Sequence, residues 1–255
     1  MKKSSTLRVI FYIVGLLVLA LGIILNTKSG LGVSPIISVS YSISTIWNFN
    51  FGNMTFVLYT VFVIVEIILH TIWNHREAAK ESAALKPAAR KSLPLILGMD
   101  LLQLPLSLIF TRFMNLFSAW IPAPSHGFAS QLLVLAGGII CTGIGAAMSL
   151  NMRIIPNPGD GIVQAIADFI HKPVGFTKNC FDLFNICITI SVGMIFAHKL
   201  VGVGIGTVVA VLGVGRVIAL FNHFFMKKMT EAAGVEYLKR KICTKPLKRI
   251  RSAMQ

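Results

Sequence analysis

The chain has 255 residues, of which 55% are hydrophobic and only 13% charged, and it carries a net charge of +15. With a mean hydropathy of +0.77, this is not the composition of a water-soluble domain, and it points to a multi-pass α-helical membrane protein. The basic excess is no nucleic-acid footprint, because it lies in short flanks: nine of 24 Lys and Arg fall in the tail Lys227 to Arg251, and five in residues 75–91.

The first apolar run, Val9 to Leu25, follows Lys2 and Lys3 and leads through "LNTKSGLG" into more membrane-type sequence, so it reads as a retained span rather than a cleaved leader. Next comes a short segment, Pro35 to Asn48, with serines at 38, 40, 42 and 44. A turn, "FNFGNMTFVLY", opens the second span, the basic stretch 75–91 follows, and Leu93 to Phe117 forms the third span. The second half opens on the run that contains "LLVLAGGII" and reaches "IIPNPGDGIVQAIADFI", residues 154–170, whose prolines, glycines and aspartates are foreign to an apolar span. "KPVGFTKNCFDLF" begins the fifth span, and Leu200 to Phe225 is the last before the basic tail.

The chain contains itself twice. Residues 16–24, "LLVLALGII", and 132–140, "LLVLAGGII", agree at eight of nine positions, and each is followed by a proline-bearing polar segment, a glycine turn and two apolar runs. The segments Pro35 to Asn48 and Gly159 to His171 are too short, at about 20 Å as helix, to cross a hydrocarbon core of about 30 Å. Both are also too polar to face lipid, so they belong inside protein or beside a wet cavity. If each enters and returns on one side, the amino terminus, 75–91, Arg153, Lys172, Lys178 and the tail are cytoplasmic. That arrangement satisfies the positive-inside bias. It gives an all-α membrane fold of six transmembrane helices plus two short re-entrant or broken helices, built from two inverted three-span repeats. The units are 1–122 with its cytoplasmic loop, 123–226, and the tail 227–255, where basic residues meet anionic lipid headgroups.

"GLGVSPI", "NPGDGIVQAI" and "GVGIGTVVAVLGVGRVIALF" resemble the YczE/YyaS/YitT group of bacterial integral membrane proteins over roughly residues 10–225. The resemblance implies a membrane fold and a bacterial plasma-membrane location, and it supplies no substrate.

Function is therefore sought in the polar residues at membrane depth, where ionisable groups cost a few kcal/mol or more unless paired or wet. Asp160 follows Asn157 and Pro158 at a helix start, so it serves either as a stabiliser of the positive helix end or as a ligand. Asp168, two turns on, is expected on nearly the same face, looking inward, with Gln164 between them. Asp182 stands four residues after Lys178, which allows a local ion pair or a substrate role. Arg216 needs a carboxylate, for which Asp100 or Asp182 are candidates, or an anionic solute. Glu66, one turn from His70, is expected to snorkel to the interface. Ser34 and Pro35 open the first short segment, and Ser38 and Ser42 share one of its helical faces. Their hydroxyls either line a path or bond back to the preceding turn. The glycines of 202–215 favour close helix packing, with "GIGT" and Thr207 as an alternative break beside the site.

No HExxH, GxSxG or Walker pattern occurs, so no catalytic residue is assigned, and the four cysteines have no metal-ligand spacing. No metal or cofactor is expected. The leading expectation is a secondary transporter or permease for a small solute. The alternatives are a passive hourglass channel or a membrane accessory or signalling subunit that uses its tail. Expected partners are membrane lipids and an unidentified solute, with a homodimer left open and nucleic acid excluded.

Overall fold

The computed structural model describes residues 3–81, 93–124 and 127–235. It is all-helical among those residues, in the order α1 (Lys3–Lys28), α2 (Pro35–Ile46), α3 (Phe51–Glu81), α4 (Leu93–Trp120), α5 (Phe128–Met152), α6 (Pro158–Ile170), α7 (Val174–Val192) and α8 (Ile205–Ala232). A π-turn, Gly193–Ala197, extends α7. Six of these, α1, α3, α4, α5, α7 and α8, are long and apolar enough to span a membrane. Helices suit that setting because each satisfies its own backbone where no water can. Large apolar side chains such as Leu133, Ile205 and Leu183 stand on the outer surface, as a lipid-facing shell requires.

The centre of the bundle is the crossing of α1 and α5. Gly15 lies against Ser149, Gly22 against Thr142 and Gly138 against Asn26, so the two helices run antiparallel. A Cβ on Gly15 would stand 2.8 Å from the Ser149 backbone nitrogen, which shows how closely the backbones approach. Gly22 and Gly138 are the matching glycines of the nine-residue repeat, and each packs on the other helix four residues beyond its twin. The Asn26 amide reaches Thr142 Oγ1 at 3.3 Å within this seam. Arg8 donates to the carbonyls of Met152 and Arg153, at 2.7 and 2.8 Å, and so satisfies the last turn of α5.

The pairings fix the two ends of the bundle. Ser4 Oγ donates to the Ala233 carbonyl, so α1 begins and α8 ends on one face, here the terminal face. The helix α8 runs parallel to α5, with Val217 over Gly143 and Ile139 against Gly213. Contacts of Arg112 with Asn53 and of Asp100 with His70 make α3 and α4 antiparallel.

The short helices α2 and α6 are built alike. A left-handed residue, Gly30 (φ 72°) or Arg153 (φ 49°), ends the preceding span. Extended chain then leads inward to Ser34 (φ −59°, ψ 136°) or Asn157 (φ −64°, ψ 140°), directly before Pro35 and Pro158. Proline is pre-shaped for a first helical turn, and its missing N–H is no loss there. Left-handed Asn48 and His171, both at φ 55°, follow the outward ends. At 12 and 13 residues the helices are about 18–20 Å long. Their inner ends meet: Ile36 of α2 packs on Gly159 of α6, where a Cβ would lie 2.9 Å from Ile36 Cδ1. At the outer ends Trp47 packs against Phe196 with the two rings tilted at 58°, while Arg76 covers the Phe169 ring. Each short helix also packs on the long helices of both halves, α2 on α3 and α7, and α6 on α3 and α7.

Several sequence boundaries shift. Residues 75–81 continue α3 as helix, because "HREAAKE" is rich in strong helix formers. The rest of the basic stretch to 91, His126, and the tail beyond 235 lie outside the described residues. The tail does not begin at 227, since α8 carries on through Lys227 and Lys228 to Ala232. Gly202 and Gly204 belong to a loop rather than to the last span. That loop lies on the segment before α2, with Val33 N–H bonded to the Gly202 carbonyl and Gly206 N–H to that of Leu31.

Candidate functional site

Polar side chains gather in three layers around the short helices. The central layer lies where the two inner ends meet. Asn157 caps α6 by accepting from Gly159 N–H at 3.4 Å. The fully buried Tyr59 of α3 faces both the Asn157 side chain and the Asp160 carboxylate. Asp182 of α7 is buried, and the field of Lys178 acts on it and on Asp160 together. Lys178 closes an ion pair with neither; the ion pair that does close among the described residues is His70 with Asp100. Aspartate at the first turn of α6 suits the positive end of the helix, yet that role leaves Asp182 unexplained.

Toward the terminal face, α3, α4 and α6 enclose a second layer. Gln103 Nε2 donates to Glu66 Oε2 at 2.7 Å, and both residues are 1% exposed. One turn along α3, His70 Nδ1 meets Asp100 Oδ2 at 2.7 Å. Toward the other face, α2, α3 and α7 form a layer of hydroxyls. Ser38 meets Thr189 at 2.7 Å, Ser40 meets Thr55 at 3.1 Å, and the buried Ser42 hydroxyl has no partner among the described residues. Ser38, Ser40 and Ser44 also bond back to carbonyls three residues earlier, so the local satisfaction and the cross-helix contact coexist.

The outer two layers correspond by position. Gly161 and Ser38 each stand three residues after the proline of their short helix, and Glu66 and Thr189 each stand fifteen residues into the span they touch. An acid with an amide therefore occupies one end and a pair of hydroxyls the other. Beside them an apolar cavity of about 550 Å³ opens between α3 and α7, lined by Phe62, Ile162, Ile166, Phe181 and Phe184 among others.

The structure brings Pro35, Asn157, Asp160 and Asp182 to the centre, with Ser34 extended just before it, and Ser38 and Ser42 into the hydroxyl layer. Three expectations fail. Gln164 and Asp168 do not look inward; they are exposed and bonded to each other at 3.1 Å. Eight residues at about 100° each leave Asp168 some 80° off the Asp160 direction, enough to turn it out of the bundle. Arg216 is exposed on the outer side of α8 and meets neither Asp100 nor Asp182; Asp100 is taken by His70. Thr207 is wholly buried at the break that "GIGT" makes before α8, where it accepts from Gly204 N–H and so closes the first turn of that helix. Glu66, expected to snorkel, is instead sealed between three helices. Its i,i+4 spacing from His70 was the available signal; the missing piece was Gln103, whose approach depends on how α4 lies on α3.

A family profile described as a family of unknown function, DUF6198, matches residues 6–223. The chain belongs to that family. Its matched region takes in all three polar layers and stops before the basic tail. A protein of Haemophilus influenzae described as an uncharacterized protein is 23% identical over 225 residues, covering 88% of this chain and 87% of that one. No solved structure matches the chain.

Proposed function

We propose that this multi-pass membrane protein is a permease for a small polar solute, bound where the inner ends of α2 and α6 meet. The observation that carries the reading is that meeting: two half-length helices point their positive ends at one centre that also holds the buried Asn157 and Asp182 and the half-buried Asp160. Two carboxylates in the field of Lys178 and two helix amino termini suit a solute with both a cationic and an anionic group. Reciprocal packing of the short helices on both halves supports a duplicated, inverted unit, and so does the equivalence of Glu66 with Thr189. The likeness to the YczE/YyaS/YitT group fits the same reading. Arg8, Arg153 and Lys172 gather on the terminal face, which supports placing both termini in the cytoplasm of a bacterium. A passive hourglass channel fits less well, because Ile37, Tyr59 and Ile162 fill the centre with almost no exposed surface.

The test is a thermal-shift screen of the purified protein against metabolites and ions, repeated with Asp160→Asn and Asp182→Asn, then uptake in proteoliposomes. The expected result is a stabilising solute whose apparent affinity falls at least tenfold in either variant and which the wild type accumulates. A solute that stabilises both variants as well as the wild type would remove these aspartates from the site.

A further inference from the structure

Glu66 is an acid in the middle of a membrane span, ten residues or about 15 Å from Arg76 near the end of the same helix. It is 1% exposed, and among the described residues no Lys or Arg pairs with it. The charged and titratable groups near it are His70 on its own helix and Asp100 on α4, and these two bind each other. On α6 the nearest neighbour is the backbone at Gly161, while Asp168 further along acts on His70 rather than on Glu66.

The hydrogen bonds around Glu66 do not close if the group is a carboxylate. Gln103 Nε2 supplies one donor to Oε2, while Glu66 Oε1 and Gln103 Oε1 are both buried without a partner among the described residues. Both orphan acceptors face the same spot on α6: the point where a Cβ of Gly161 would stand is 2.7 Å from the first and 3.0 Å from the second. An ionised carboxylate can only accept, so it cannot satisfy the amide oxygen. Turning the amide by half a turn changes nothing, since Oε1 would then face Glu66 Oε2 at 2.7 Å, again two acceptors in contact. A single hydrogen on the carboxyl resolves either arrangement. In the present one it lets Glu66 donate to the amide oxygen while the amide donates back. The absence of a side chain at Gly161 leaves both groups room to reach α6.

We propose that Glu66 and Gln103 form a proton-binding site in which the Glu66 carboxyl takes up a proton from water on the terminal face through the His70–Asp100 pair one turn away. The step is a simple transfer: the Glu66 carboxylate gains H⁺, its charge goes from −1 to 0, and the proton leaves the aqueous phase. Its use as the coupling ion of solute movement rests on the permease reading above; the protonation itself does not. In that use the neutral form is the one that can be carried through the packed interior, and release of the proton leaves a charge that must be rehydrated.

Infrared absorption of the purified protein in hydrogen-exchanged and deuterated buffer tests this directly. With nine acidic side chains in the whole chain, protonated carboxyls are few at neutral pH, where an ordinary glutamate is more than about 99% ionised. The expected result is a protonated-carboxyl band near pH 7 that shifts in deuterated buffer, disappears in Glu66→Gln, and moves in frequency in Gln103→Leu. The second variant keeps Glu66 in place, so the assignment survives if the first fails to fold. A spectrum without such a band, or a band unchanged by both substitutions, overturns the proposal. So does a melting temperature raised by Na⁺ or Li⁺ in the wild type alone, which would make the site one for a metal cation. If the band behaves as expected while proteoliposomes show no uptake of any solute from the screen, with or without a proton gradient, the permease reading falls and the proton site stands.

Discussion

Gly161 sets how near the polar side chains of α3 and α4 come to α6. A methyl group there would meet Glu66 Oε1 at 2.7 Å and Gln103 Oε1 at 3.0 Å, so Gly161→Ala must push both back. Overpacking of this kind costs about 1–3 kcal/mol, and we expect a lower melting temperature in detergent with the solute-independent fold retained. Tyr12→Phe is a milder case: it removes one hydrogen bond to the Ile155 carbonyl, 2.8 Å long, and should cost about 1 kcal/mol. Arg216 behaves in the opposite sense. It stands exposed in mid-span on α8, where a charge facing lipid is expensive. Replacing it with leucine should favour insertion of α8 by about 3 kcal/mol, measured as the inserted fraction in a translocon assay. The same variant should leave the melting temperature of the folded protein unchanged or higher; a fall would mean that Arg216 makes a contact with a second molecule.

At the scale of elements, the α1–α5 crossing depends on small residues placed in register. Gly22 faces the Thr142 backbone and Gly145 faces Leu19, with no room for a side chain at either. We expect Gly22→Leu or Gly145→Leu to separate the two helices and lose the fold, whereas Gly137→Leu, which faces open space, should be tolerated. Melting curves in detergent compare the three directly. Much of this architecture is legible in the sequence. The six spans follow from apolar length, and the short helices follow from proline, glycine and hydroxyl content in segments too short to cross. The site is less legible. A helical wheel places Glu66 beside His70 but says nothing about which neighbouring helix arrives opposite, and Gln103 lies 37 residues away. The error at Asp168 has the same root: a face shared over two turns drifts by about 80°, and only packing tells which side of that drift is covered. The glycines before α8 carry a related ambiguity. A glycine run allows close approach equally to a helix or to a loop, and here the loop at Gly202 lies on α2.

For the whole molecule, the short helices tie the two halves together. The first four helices made alone would leave α2 without α7, and the last four would leave α6 without α3. Neither half expressed separately should therefore give a folded, protease-resistant product, while co-expression of 1–122 with 123–255 should restore one. Topology is open to an equally plain check. Cysteines placed at Ala123 and at Lys172, in a chain whose native cysteines are replaced, should react with a membrane-impermeant maleimide from opposite sides of sealed vesicles. Reaction from the same side would mean that a short helix crosses after all. Ser38 and Thr189, which share a hydrogen bond, are separated by 151 residues. Synthesis at 5–20 residues per second puts roughly 8–30 s between their emergence. During that interval α2 has left the ribosome with Ser38 bonded only to its own helix, lacking the α7 hydroxyl that it meets in the finished protein. The last helices to be made are thus what allow one of the first to settle, and a pause in translation before residue 174 should hand the nascent chain to quality control.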